Sequence, residues 1–266
     1  MLESILVYLA LGVGAGFIAG LLGVGGGLLI VPTLTAVFLW QGMSVDVVMH
    51  LALGTSLATI VVTSLSSVRA HHLRGAVDWG LVRGLAPGLM LGAVSGAVIA
   101  HYLETMVLVW IFAIFELFVA VYMFFGSPKP QSAGEQGPSQ GELLAAGNSI
   151  GAVSALLGIG GGTMTVPYLS WRGLLMPRAV AVSAACGLPI ALAGAISYLV
   201  AGWQVASLPD LVSGYIYWPA FIGIVSSSVL FAPLGARCAH ALPVLVLRRV
   251  FACLLAVLGV GMLLSF

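Results

Sequence analysis

Apolar runs follow one another along the chain, near 48 to 68, 80 to 100, 105 to 126, 178 to 202, 213 to 236 and 245 to 265. Each predicts a helix of about 20 residues, enough to cross roughly 30 Å of hydrocarbon. Two further regions, 4 to 40 and 143 to 171, are as apolar but interrupted, by LLGVGGGLLIVPTL (Leu21 to Leu34) and LLGIGGGTMTVPYL (Leu156 to Leu169). Consecutive glycines break a helix. Pro32 and Pro167, each five residues past its triplet, disfavour an uninterrupted alternative helix. The pattern predicts a helical hairpin in each region, one arm down to the glycines and a shorter arm back, either re-entrant or crossing twice.

Polar sequence is concentrated in GSPKPQSAGEQGPSQGE, Gly126 to Glu142, which has the composition of a flexible linker. Beyond it the pattern restarts. Gly12 matches Gly147 and Pro32 matches Pro167, the same shift of 135 (147 − 12 and 167 − 32). Ala52 then pairs with Ala184 and Pro87 with Pro219, both at 132, while IFA at 111 to 113 answers VFA at 250 to 252. The expected organisation is a first repeat (1–126), a cytoplasmic linker (127–142) and a second repeat (143–266), a plan that secondary transporters share.

Lys and Arg in short loops mark the cytoplasmic side. The loop after the second segment of the first half carries Arg69, Arg74 and Arg83. Its counterpart in the second half, AGWQVASLPD, carries none, whereas the loops flanking it hold Arg172 and Arg178, and Arg237, Arg248 and Arg249. The bias flips between the halves, so the expected fold is an all-α polytopic membrane protein of two inverted structural repeats and about eight segments. Both termini are predicted outside and the linker inside. The N-terminal segment has no signal-peptide pattern and is expected to be retained.

Composition agrees. The 266 residues are 61% hydrophobic and 6% charged, with mean hydropathy +1.17, which excludes a soluble globular enzyme. A net charge of +1 offers no basic field for nucleic acid. Cys186, Cys238 and Cys253 are isolated in apolar sequence and read as small buried hydrophobes; no metal-ligand spacing and no cofactor motif occurs.

Irregular backbone deep in a membrane persists only where protein or a water-filled cavity satisfies it. Each returning arm begins with free N–H groups and the positive end of a helix dipole, which suits an anion. Two such ends entering from opposite faces would form a cradle that needs no buried Lys or Arg. Its expected members are Gly23, Gly25, Gly26 and Gly27 in the first break and Gly158, Gly160, Gly161, Gly162 and Thr163 in the second. Thr165 follows directly, and Thr55, Ser56, Asn148, Ser149 and Ser154 are further donors. Gly12, Gly16 and Gly20 read instead as small-residue packing positions. Hydroxyls such as Thr59, Thr63 and Ser226 to Ser228 read as bonded to helix backbone.

The segments GLLGVGGGLLIVP, LALGTSL, GIGGGTMTVP and ACGLPIA resemble the TauE/SafE family of sulfite-exporter-like bacterial membrane proteins, over essentially the whole chain. The resemblance implies an eight-segment, two-repeat transporter of the inner membrane. It also implies a substrate among sulfite, sulfoacetate and other small organic anions, usually exported. The halves differ at GTSL (54 to 57) against CGLP (186 to 189), where Gly187 and the backbone beside Pro189 replace hydroxyls; that asymmetry is a candidate selector.

Glu116, in IFAIFELFVAVY, is a mid-span carboxylate and a candidate for proton coupling, against a packing or subunit-contact role; its repeat partner is Leu255. His50 is a second titratable candidate near a span start, where an interfacial histidine is more commonly structural. Arg69, His71, His72 and Arg74 form a basic cluster facing lipid headgroups or an inward vestibule. The sequence predicts an alternating-access transporter of a small anion, with the lipid bilayer and further copies of the chain as its other partners. An anion-selective channel is the alternative. A membrane enzyme is disfavoured for lack of any catalytic cluster.

Overall fold

The computed structural model describes residues 2–22, 26–125, 138–205, 208–238 and 244–266. Gly23 and Gly25, and most of the predicted linker, lie outside them. The described residues form ten helices: α1 (Leu2–Leu22), α2 (Gly27–Trp40), α3 (Val45–His72), α4 (Trp79–Tyr102), α5 (Thr105–Phe125), α6 (Gln140–Leu156), α7 (Gly162–Trp171), α8 (Met176–Ala201), α9 (Trp218–Cys238) and α10 (Val244–Leu264). Two short antiparallel strands, β1 (Val212–Ser213) and β2 (Ile216–Tyr217), precede α9. Helices α1, α3, α4, α5, α8 and α9 each hold an apolar stretch long enough to cross a bilayer, as a multi-pass membrane protein requires. Each half therefore contains a broken hairpin (α1–α2, α6–α7) followed by three helices. Helix α6 begins at Gln140, inside the predicted linker, where the Ser139 hydroxyl accepts from the Glu142 N–H at 3.3 Å.

Packing between the halves is reciprocal: α1 lies along α9 and α6 along α4, so each half's first helix packs on the other half's fourth. Glycines permit both contacts. A side chain at Gly12 would enter the Ile224 carbonyl, and one at Gly147 the Leu85 carbonyl; Gly16 meets Ser228 and Gly151 meets Leu89. These are close-packing positions, as their small-residue spacing suggests. The helices α3 and α8 run antiparallel, with Gly54 beside Tyr198, Leu57 beside Gly194, and Ser64 beside Gly187.

The contacts correct the register read from the sequence. Helix starts place α3 against α8 at a shift of 131 (176 − 45), and α4 against α9 at 139 (218 − 79). Reciprocal packing agrees with the latter, since Ile224 and Leu85 also differ by 139. Pro87 therefore corresponds to Ser226 rather than Pro219. The eight additional residues (139 − 131) fall in the connection between α8 and α9. There the first residues of the apolar run predicted as helix from 213 fold instead into the β1–β2 hairpin, because Gly214 turns the chain at φ 54°, and the helix begins at Trp218.

At one end of the bundle, below called the Tyr215 end, gather the start of α1, the end of α2, the starts of α3 and α5 and the β-hairpin. Tyr8 and Gln41 clasp the first hairpin there, Gln41 Nε2 donating to the Tyr8 hydroxyl at 2.9 Å. At the opposite end, the Ser67 end, Arg172 pairs with Glu142 across the second hairpin, and the Tyr168 hydroxyl donates to Glu142 at 3.1 Å. Trp40, Trp79, Tyr102, Trp203 and Trp218 are exposed at helix termini, where interfacial aromatics belong. Cys186 is buried, but Cys253 is exposed on α10, so it does not serve as core filling.

Candidate functional site

Gly26 and Gly161 are the N-caps of α2 and α7, with φ, ψ of 76°, −6° and 73°, −11°. That left-handed geometry is accessible to glycine without strain, and the two breaks are copies of one turn. The Gly26 carbonyl accepts from Leu29 and Ile30, and the Gly161 carbonyl from Met164 and Thr165 at 3.1 and 2.8 Å. The N–H groups at the very start of each helix have no partner within it, and the positive dipole end lies with them.

The breaks touch each other midway along α3. A side chain at Gly27 would lie 2.5 Å from the Gly158 carbonyl and 2.8 Å from the Ile159 Cα. The Gly158 carbonyl in turn accepts from the Ser56 hydroxyl at 2.7 Å. On its other side the first break packs on Ala15, whose carbonyl lies 2.8 Å from where a Gly26 side chain would start. The described start of α2 therefore packs on backbone on two sides.

At the second break the atom nearest to where a Gly161 side chain would begin is instead the end of the Ile190 side chain. The hydroxyls of Ser154 and Thr165 both lie 3.5 Å from where a Gly161 side chain would begin. Both residues are fully buried, and neither hydroxyl has a hydrogen-bond partner among the described residues; the Thr163 hydroxyl is likewise unpartnered. Gly160 borders a small cavity at the Ser67 side of the break, shared with Gly187, Ala19, Thr63, Ser64 and Ser67. Thr63 and Ser64 donate to carbonyls of their own helix, while the Ser67 hydroxyl is unpartnered. Buried polar groups ordinarily find partners, so the Ser154, Thr163 and Thr165 hydroxyls at the α7 start and the Ser67 hydroxyl in the cavity lining stand out among the described residues. The described lining of the cavity contains no Lys or Arg.

The remaining predicted residues divide. Gly162 starts α7 and is buried, and a side chain at Gly187 would begin 3.0 Å from the Gly160 carbonyl. Thr55 accepts from the Tyr217 N–H at 3.0 Å, which ties it to the β-hairpin. Asn148 is exposed on α6, its backbone against Gly88 and Gly92 rather than near the cavity. Ser149 donates to its own helix. His50 lies at the Tyr215 end, its Nε2 3.0 Å from the Ala100 carbonyl. Glu116 is fully buried beside Gly259 of α10, with both carboxyl oxygens unpartnered among the described residues. The sequence reading passed over Ser64 and Ser67. Their signal was the spacing of Ile60, Thr63, Ser64 and Ser67, which occupies one face of α3.

Among the described residues no three His, Cys, Asp or Glu gather as metal ligands do. No solved structure matches the chain. Its sequence is 38% identical to a probable membrane transporter protein of Haemophilus influenzae, covering the whole of both chains. It is 29% identical to a probable membrane transporter protein of Methanocaldococcus jannaschii, over 94% of this chain and 93% of the relative. A probable membrane transporter protein of Bacillus subtilis, YunE, is 27% identical over 88% of each chain. The family model of the sulfite exporter TauE/SafE matches residues 8–262. A multi-pass helical bundle, two glycine-capped half-helices meeting at its centre and a match across almost its full length lead to one assignment: this membrane transporter belongs to the sulfite exporter TauE/SafE family.

Proposed function

We propose that the protein is a secondary transporter that exports small anions across the bacterial inner membrane, with sulfite or organosulfonates such as sulfoacetate as substrates. The anion binds at the start of α7, between the two broken hairpins. The observation that carries this reading is the convergence of the orphaned Ser154 and Thr165 hydroxyls on Gly161, at a helix N-terminus. Hydroxyl donors and the dipole end together supply an electropositive pocket, each dipole end contributing roughly 0.3 to 2 kcal/mol and each bond to a charged acceptor about 1.5 to 3 kcal/mol. The name of the matching family supports sulfite as the first compound to try.

Two features support alternating access by inverted repeats: the antiparallel course of α3 and α8, and the exchange of partners between α1–α9 and α6–α4. In this reading the Tyr215 end faces outward and the Ser67 end, with its arginine-rich neighbours, faces the cytoplasm. Proteoliposomes preloaded with unlabelled sulfite test the mechanism. Accumulation of labelled sulfite by counterflow is the expected result, and flux without exchange would replace the transporter with a channel.

A further inference from the structure

The β1–β2 hairpin is the part of the second half with no counterpart in the first, and it fills the Tyr215 end. Tyr215 is 3% exposed. Its ring stacks on His50 at 5.0 Å and 28°, meets Tyr198 edge-on at 6.2 Å, and its hydroxyl lies 3.1 Å from His101 Nδ1. Burial pushes the Tyr215 hydroxyl above its ordinary pKa, so it remains a donor at neutral pH. The backbone is fastened as well. The Tyr215 N–H donates to the Tyr198 carbonyl at 3.2 Å, the Tyr217 N–H donates to Thr55, and the Tyr215 carbonyl fits against Gly54. One residue deeper, Ser56 holds the Gly158 carbonyl of the second break.

Toward the Ser67 end the break borders a cavity instead. The difference has a residue-level cause: at the shift of 131, Ser67 corresponds to Tyr198 (198 − 131). Ser67 leaves space, whereas the Tyr198 ring is fully buried and its hydroxyl donates to the Ala155 carbonyl at 3.2 Å. The Tyr215 end is thus stoppered by two tyrosines, one fixed on α8 and one carried on a two-residue ladder. A ladder that short has little stability of its own, so the hairpin's position depends on its fastenings to α3, α4 and α8.

We propose that the β1–β2 hairpin is the outer gate of the transporter, with Tyr215 as its stopper and Thr55 and His101 as its latches. Lifting it uncovers Gly54, Thr55 and the second break from the Tyr215 end, the opening that release of substrate to that side requires. The inference rests on the α7 start being the substrate site, yet it is testable without any substrate.

In a background of Cys186→Ala, Cys238→Ala and Cys253→Ala, a reporter cysteine at Thr55→Cys is treated with a membrane-impermeant methanethiosulfonate from the face that labels Gln41→Cys. Labelling is slow while Tyr215 and its contacts to His50, His101 and Tyr198 still fasten the hairpin. Adding Tyr215→Ala accelerates it on the order of tenfold or more, as expected when a fastening of about 1.4 kcal/mol is lost. His101→Ala, which removes only the partner of the hydroxyl, gives a smaller acceleration and serves if Tyr215→Ala does not fold. Equal rates in all three proteins overturn the gate. The second arm is the pair Thr55→Cys and Tyr217→Cys, oxidised to a disulfide. Flux of labelled sulfite falls to background and returns with dithiothreitol, and full flux through the oxidised protein contradicts the gate. Calorimetric titration with sulfite separately tests the substrate reading, so a failure there leaves the labelling result intact.

Discussion

The two glycine breaks have the same backbone and different surroundings. Gly26 and Gly161 agree within a few degrees in φ and ψ. Yet the described α2 start packs on the backbones of Ala15, Gly158 and Ile159, while the α7 start packs on the end of the Ile190 side chain and on two hydroxyls without partners among the described residues, with a cavity beside Gly160. In the proposed reading, one copy of the repeated motif holds the hairpins together and the other holds the ligand. Sequence similarity between the copies conceals that division, because it lies in what packs on the glycines rather than in the glycines.

Alanine at the two breaks gives the largest expected contrast. In Gly27→Ala the new methyl group meets Gly158 and Ile159 backbone, which cannot turn aside, so the folded yield and melting temperature in detergent fall sharply, as overpacking by about 1 to 3 kcal/mol or more predicts. In Gly161→Ala the nearest obstacle is the end of the Ile190 side chain, which can rotate. The left-handed turn costs about 1 to 2 kcal/mol, the protein stays folded, and the methyl group occupies the point on which Ser154 and Thr165 converge. Sulfite binding is then lost. Equal stability losses with binding retained in Gly161→Ala would erase the difference between the breaks.

The hairpin ends sharpen the comparison. Gln41 and Arg172 are the C-caps of α2 and α7 and correspond at the shift of 131 (172 − 41). Single cysteines at the two positions are expected to react with an impermeant thiol reagent from opposite faces of the membrane. Reaction from the same face would contradict the proposed inverted topology.

A smaller effect is expected at Glu116, whose counterpart at 139 is Leu255 (255 − 116). A buried, unpartnered carboxyl on one side of a pseudo-symmetric α5–α10 seam is not demanded by the packing. Glu116→Gln is expected to flatten the pH dependence of sulfite flux while leaving sulfite affinity within about twofold, since the carboxyl belongs to another seam. An unchanged pH profile would return Glu116 to a packing role.

Much of this architecture was legible because glycine triplets and prolines are strong local signals in apolar sequence. The hairpins followed from them, and the helix spans from the length of the apolar runs. Register was less secure: Pro87 and Pro219 look like counterparts, but the insertion between α8 and α9 displaces them, and only packing of Gly12 and Gly147 reveals it. The β-hairpin hid inside LVSGYIYWPA, whose apolar content matches a span although Gly214 turns it back. In the site, hydroxyl-bearing residues were visible but not their state. Thr55 and Ser56 are engaged by neighbours far along the chain, whereas Ser154 and Thr165 are left open, and pairing across 162 or 102 residues has no local sequence signature.

The central claim is that the α7 start, with the Ser154 and Thr165 hydroxyls, binds the anion. Calorimetric titration of the purified double variant Ser154→Ala, Thr165→Val with sulfite tests it most directly. Loss of two hydrogen bonds to a charged ligand predicts affinity weakened by about a hundredfold or more, with thermal stability of the unliganded protein undiminished because neither hydroxyl has a partner among the described residues. Unchanged sulfite affinity in that variant would contradict the account.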